Sequence, residues 1–285
     1  MLKIIVAVCA SYSAVAAAQN ADVAEVTMPK ANFSTSSSAL PDTAGMREDG
    51  ASGGGAKSPE ASMHPFSKVG IGINVGLGGA GFEVATPLAR KLNLRGGGNF
   101  FGYNTTITDN GISYTGNLQL RSGKIDIDWF PFGGSFRLSG GVEIYNGNQI
   151  TATATVPSQQ SFTVNGDTYY SSASNPLTGS ASLVLGNKAG PSFSLGWGNL
   201  VPRKAHSHFS VPFEIGAVYT GTPVLKFNFS GSACTTNLTP CTTGTPVATN
   251  STFQQDLAGQ INTYQNDLNV LRLYPILSIG LGYKF

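Results

Sequence analysis

The chain closes on Tyr274-Pro-Ile-Leu-Ser-Ile-Gly-Leu-Gly-Tyr-Lys-Phe285. At the two-residue period of a β-strand, Pro275, Leu277, Ile279, Leu281, Tyr283 and Phe285 share one face, and Tyr274, Ile276, Ser278, Gly280, Gly282 and Lys284 the other. The first face is apolar from end to end. A half-buried strand of a soluble protein alternates in the same way, but it rarely ends a chain on an aromatic residue.

Working backwards, the same period recurs in seven more segments, each bounded by turn residues, which makes eight between Lys68 and Phe285. They are Lys68 to Leu77, Gly81 to Leu88, Leu92 to Tyr103, Ile112 to Phe130, Phe136 to Tyr145, Ser192 to Gly198 and Phe209 to Tyr219. Asp109-Asn-Gly111 supplies a turn signal between the third and fourth. In the fourth, Ile125, Ile127 and Trp129 oppose Lys124, Asp126 and Asp128, but Leu118 and Leu120 are out of phase with them. A bulge near Gly123, or departure from the bilayer, accounts for that slip.

The apolar face, the terminal aromatic and the even strand count together resemble bacterial outer-membrane β-barrel proteins, in particular the small transmembrane barrel of OmpA. The resemblance spans Lys68 to Phe285 and rests on pattern and termini, since no internal family motif carries over. It implies an all-β fold: a closed antiparallel up-and-down transmembrane β-barrel of eight strands, with ten as the alternative. It implies a cell outer membrane location, an apolar face against outer-membrane lipids, and Tyr283 and Phe285 as the signal read by the barrel-assembly machinery. The loops are longer than in that group and a separate periplasmic domain is missing, which leaves anchoring to the cell wall open.

The N-terminal end fits the same compartment. Lys3, an apolar run from Ile4 to Ala10 and Ala16-Ala-Ala18 form a removable secretory signal over residues 1–18. No stretch approaches the roughly 20 apolar residues of a helical span. Cys9 follows Val8, where lipid attachment requires a small residue. Residues 19–65, with Ser34-Thr-Ser-Ser-Ser38 and Gly53-Gly-Gly55, read as a disordered periplasmic arm, and residues 66–285 as the barrel. Without the signal, Cys234 and Cys241 are the only cysteines, and an oxidising compartment favours a disulfide between them over two free thiols in a loop. Charged residues make up 11% of the chain, with 36 glycines and a net charge of +2. Soluble domains carry roughly 25% charge. Nucleic acid is not expected as a partner, because phosphate binding needs a concentrated basic surface.

Connection lengths orient the barrel. Ala89 to Lys91, Pro131 to Ser135 and Leu200 to His208 are short, as periplasmic turns are; Asn146 to Gly190 and Thr220 to Val270 are long, as external loops are. In the first long loop, Gln149 to Val156 and Ser161 to Tyr170 alternate and are expected to project above the membrane, or to supply the hairpin of a ten-stranded barrel. In the second, Leu257, Ile261, Tyr264, Leu268 and Leu271 recur at helical spacing behind a Ser251-Thr-Phe-Gln254 capping box, predicting an amphipathic helix over the barrel mouth. Asp167, Lys188, Lys226, Asp256 and Asp267 are the few charges of these loops. Polar uncharged loops suit a surface ligand such as a glycan, and equally suit plain solubility.

Phase places Glu83, Arg95, Lys124, Asp126, Asp128, Arg137, Glu143 and Glu214 inside the barrel, with Lys68 and Lys284 at its lower rim. The lumen of an eight-stranded barrel is only wide enough to be filled by side chains, so these charges are expected to pair into a plug. A narrow or gated conduit is the alternative. No enzymatic role is expected, because His64, His206 and His208 all fall in the arm or a periplasmic turn, leaving no lumen or external base. His206-Ser-His208 lacks a third metal ligand, so no metal and no cofactor are expected. With Arg90, Lys91, Arg203 and Lys204 these histidines read as a cationic rim against lipid headgroups. Asp126 and Asp128 look like a catalytic carboxylate pair, but Lys124, Arg95 and Arg137 make them simpler as charge partners.

Overall fold

A computed structural model describes residues 64–203, 207–235, 240–269 and 271–285. The signal segment, the arm up to Met63, Lys204 and His206 lie outside these residues.

In chain order the strands are β1 (Gly70–Gly76), β2 (Gly79–Ala89), β3 (Leu92–Asp109), β4 (Ile112–Trp129), β5 (Phe136–Asn146) and β6 (Gln149–Thr155). Next come β7 (Ser161–Val164), β8 (Asp167–Ser171), β9 (Thr178–Val184), β10 (Gly190–Trp197), β11 (Phe209–Ser210) and β12 (Phe213–Tyr219). The last are β13 (Val224–Ser230), β14 (Ser232–Thr235), β15 (Thr245–Pro246), helix α1 (Ser251–Leu268) and β16 (Leu273–Lys284).

Eight strands close an antiparallel barrel, in the order β1, β2, β3, β4, β5, β10, β12, β16 and back to β1. These are the eight segments read from the sequence. Gln149 to Val156 and Ser161 to Tyr170 lie outside the barrel, which removes the ten-stranded alternative. The phase of β16 is as its sequence reads: Leu277, Ile279 and Leu281 are exposed, and Gly282 and Lys284 are buried. Ile73, Phe82, Ile127, Val142, Phe193 and Ile215 continue that apolar outer surface around the barrel. Exposed Trp129, Phe132, Trp197, Phe209 and Phe285 ring the end that holds the C-terminal residue, and Phe100, Tyr145 and Tyr219 the opposite end. An exposed apolar band between two aromatic girdles is the surface a bilayer requires.

The seventh segment is interrupted where Pro212 has no N–H to donate, so β11 and β12 pair separately with β16, in one continuous register. The phase slip in β4 has the second of the two causes considered. β3 and β4 pair without a shift over 18 residues each, so Leu118 and Leu120 share the inward face of Lys124 and Asp126. They are buried because β4 has by then left the barrel to pair with β6. The bulge lies on β5 instead: Gly123 pairs with Tyr145 and Lys124 with Glu143, leaving Ile144 as the extra residue. Asn110 and Gly111 both adopt positive φ, 49° and 78°, the type I′ turn whose twist matches a two-residue hairpin.

Beyond the barrel stands a cap with its own core. The outer half of β4 continues into a sheet with β6, β9 and β13, while β15, β14, β8 and β7 form a second sheet. Ile112, Val164, Leu177, Val247, Phe253 and Leu257 fill the space they enclose, and Tyr169 and Phe253 meet edge to face at 5.2 Å. Helix α1 starts one residue earlier in its chemistry than the expected capping box. The N-cap is Asn250, whose side-chain oxygen accepts from the Phe253 amide at 3.1 Å, and Gln254 donates to the Val247 carbonyl at 2.8 Å. The helix ends at Leu268, short of Leu271. Gln265 ties it to the neighbouring segment, donating to Pro223 O at 2.6 Å and accepting from Leu225 N at 3.1 Å.

Cys234 and Cys241 form a disulfide, seven residues apart. Cys241 is fully buried and its backbone pairs with both polar atoms of the Gln159 amide, at 2.9 Å each, so hydrogen bonds tie the bridged loop to the one after β6. Closing so short a loop stabilises by about 2–3 kcal/mol in the chain-entropy account. Reduction, or Cys234→Ser with Cys241→Ser, is expected to lower cap stability by that amount. Faster protease cleavage within the cap, with the barrel still intact on unheated gels, is the result to look for.

Candidate functional site: a charged belt above an inward plug

The inward positions of adjacent strands lie side by side, so Glu83 on β2, Arg95 on β3, Lys124, Asp126 and Asp128 on β4, Arg137 and Glu143 on β5 and Glu214 on β12 build a belt across the lumen. Arg95 is its hub. Its guanidinium meets Glu83 at 2.6 Å, Glu214 at 2.9 Å, Asp128 at 3.0 Å and Asp126 at 3.2 Å. Lys124 joins Glu214 at 2.7 Å and Asp126 at 3.4 Å, while Arg137 joins Glu214 at 3.0 Å and donates to Gly198 O at 2.7 Å. Hydroxyls complete the set: Ser139 donates to Asp128 at 2.6 Å, Ser194 to Glu214 at 2.9 Å and Ser192 to Asp126 at 3.1 Å. Asp126 and Asp128 both pair with Arg95.

Burial is nearly complete. Arg95 and Arg137 retain 1% of their surface and Glu214 2%, so a water-sized sphere barely touches them. Such burial is tolerable only because Arg95, Arg137 and Glu214 are each met by several opposite or hydrogen-bonding groups. Glu143 differs from the other seven. It is buried beside Lys124 in the β4–β5 ladder but makes no ion pair within 4 Å among the described residues, and its Oε1 has no hydrogen-bond partner there.

The segment after β10 folds into the lumen instead of crossing its rim as a simple turn. Asn199 accepts from Asn93 Nδ2 and from Val201 N, both at 2.9 Å, and Leu200 and Val201 are buried against Ala85. Room for Leu200 comes from glycines on the inward faces of β1 and β16. A Cβ on Gly70 would lie 2.1 Å from the Leu200 carbonyl oxygen, and one on Gly282 2.4 Å from Leu200 Cδ2. Lys284, inward as its phase requires, donates to Pro202 O at 3.0 Å and locks the plug from below. The repeated inward glycines were the signal for this insertion: a filled lumen must put something bulky where one wall has no side chains. Gly70→Val is expected to displace the plug and to cost about 1–3 kcal/mol by overpacking. In that background a Val201→Cys thiol should react with a water-soluble maleimide, and in the Gly70 parent it should stay protected.

At the rim below the plug, Lys91 donates to Pro131 O at 2.9 Å and Arg203 lies 5.3 Å from the Phe130 ring centre. Burial, and then the nearby Arg90, lower the Arg203 pKa from its ordinary value. His208 Nδ1 sits 3.0 Å from the Lys284 carbonyl and its ring stacks on Tyr283. At the opposite rim, Asn146 donates to Leu185 O and Asn187 O, and Asn148 accepts from Arg121 N at 2.7 Å, bracing cap to barrel. Among the described residues no three His, Cys, Asp or Glu side chains are grouped as metal ligands.

No family model and no curated protein matches the chain. Among solved structures it is similar to Acinetobacter baumannii CarO, with a TM-score of 0.48 and 21% identity over 79% of this chain and 99% of that one. It is also similar to Acinetobacter baumannii CarO2, with a TM-score of 0.50 and 18% identity over 78% of this chain and 100% of that one. At such identities the likeness is one of fold. The chain itself is a closed antiparallel barrel of eight strands with a lipid-type outer surface, a fold consistent with an OmpA-type outer-membrane barrel.

Proposed function

We propose that the chain is an integral outer-membrane protein with a structural or surface-interaction role, built to hold its cap outside the cell on a barrel whose lumen is largely closed. The near-total burial of Arg95, Arg137 and Glu214 carries this reading. A solute crossing the lumen would have to part a belt in which Arg95 alone meets four carboxylates. In this reading the plug end, with the arm and Phe285, faces the periplasm; Tyr283 and Phe285 are offered to the assembly machinery during insertion, and lipids surround the apolar band. The almost uncharged cap takes a surface ligand, and the chain performs no catalysis. Planar-bilayer recordings on the refolded protein test it: the expected trace is silent, and a stable, ion-selective single-channel conductance sinks the proposal.

The runner-up is a narrow channel or carrier for a small solute, running past Arg95, Lys124, Asp128, Arg137 and Glu214. Its support is charge balance. Arg95, Lys124 and Arg137 face five carboxylates, Glu83, Asp126, Asp128, Glu143 and Glu214, and Glu143 stands outside the ion pairs. This reading expects altered liposome swelling in Arg95→Gln or Glu214→Gln protein, and unchanged rates count against it.

A further inference from the structure

We propose that the cap binds one small molecule built on a single apolar ring, aromatic or saturated, in a cleft between its main sheet and α1. The cleft has a volume of about 110 Å³. An engineered apolar cavity of roughly 150 Å³ takes up benzene, so this space is scaled to one ring and not to a peptide or a glycan chain. It is a built space and not loose packing, because Leu177 and Phe253 beside it are fully buried.

Its floor is a cross-strand pair of the smallest side chains: Ala154 on β6 lies directly opposite Gly179 on β9, and both line the cleft. On the far side of Gly179, β13 sets Phe229 in register, and Phe227 stacks beside it at 6.2 Å. Phe162 and Tyr264 add further aromatic surface, from β7 and from α1. Two small residues surrounded by rings leave a slot whose walls favour edge or face contact with another ring.

The cleft also has a polar edge. Gln260 accepts from the Asn165 amide at 2.9 Å through Oε1, which fixes its side chain. Among the described residues its Nε2 and the hydroxyls of Tyr114 and Tyr264 have no hydrogen-bond partner. Burial, then Asp109, raises the Tyr114 pKa, and burial, then Asp267, raises that of Tyr264, so both hydroxyls stay protonated as donors. Donors carried by three of the residues that line an apolar slot suit a ring carrying one acceptor, such as a phenol or a cyclic alcohol. The site lies in the cap and is independent of whether the lumen conducts.

The test is a titration of the full chain, refolded in lipid nanodiscs, with 4-fluorophenol followed by fluorine NMR, against empty nanodiscs. A saturable shift beyond the empty control is expected. Ala154→Leu, which fills the floor, should weaken it by roughly tenfold or more, the scale on which a pocket discriminates ring-sized apolar groups. Thr163→Trp, at the exposed margin of the cleft, should do the same and serves alone if the buried change prevents folding. A titration identical to empty nanodiscs, or binding that both variants leave unchanged, overturns the proposal. A conductance in bilayer recordings would remove the closed-lumen reading and leave this one standing.

Discussion

Arg95→Met is expected to destabilise the barrel more than any other single change to the belt, by at least about 3–5 kcal/mol, the usual cost of stranding a buried charge partner. The side chain it removes contacts Glu83, Asp126, Asp128 and Glu214, and only Lys124 and Arg137 remain to offset them. Deleting the charge without its partners is what makes the change severe. Adding Glu83→Gln and Asp128→Asn to Arg95→Met should therefore recover much of the loss, since a belt without those charges no longer needs the hub. Urea titration of the refolded protein, scored by the mobility difference between heated and unheated samples on gels, measures both. A midpoint unmoved by Arg95→Met would mean that water solvates the four carboxylates, which a closed lumen does not allow. The stability experiment therefore also bears on conduction.

Phe253→Ala should act on the cap alone. Phe253 has no exposed surface, and its ring meets Phe162, Tyr169 and Phe229 at centroid distances of 5.2–6.4 Å. Emptying that position costs about 3–5 kcal/mol for a buried aromatic. In a unit of this size the loss is large enough to open it. Limited proteolysis is expected to cleave in the cap, between residues 156 and 178 or between 231 and 268, while the barrel keeps its unheated mobility, because the barrel ladders do not pass through Phe253. Protection equal to the parent protein would show that the cap does not depend on this core. The hydroxyl of neighbouring Tyr169 donates to Asp256, and burial followed by that carboxylate raises its pKa, so the contact is kept in its neutral form.

The barrel was legible because lipid and lumen impose opposite demands on alternate residues, and one phase error would reverse them all. The terminal strand, the inward Arg95, Asp126 and Asp128, and the cysteine pair each follow from a local pattern or from composition. Three features did not. The plug at Asn199 to Val201 looks like any short connection, and its trace is a set of glycines on β1 and β16, far away in sequence. The pairing of β6 with β9, and of β9 with β13, spans separations that no local period encodes; β6 was foreseen as a projecting strand, while β9 and β13 and the sheet they form were not. Glu143 has the right phase for the belt, yet the bulge at Ile144 shifts the register on one side of it, and ion pairing depends on ångströms that alternation does not specify.

The β3–β4 hairpin belongs to both halves of the molecule. Eighteen paired residues at about 3.3–3.4 Å each give a ladder roughly 60 Å long, of which only some 25 Å is needed to cross the apolar band. A pull on the tip at Asn110-Gly111 would load the hydrogen bonds of that ladder and of its neighbours across the strand direction, in shear, so that many must fail together. The cap therefore has no hinge along this edge. Force applied to the cap would be transmitted into the barrel as through a mast stepped in the hull.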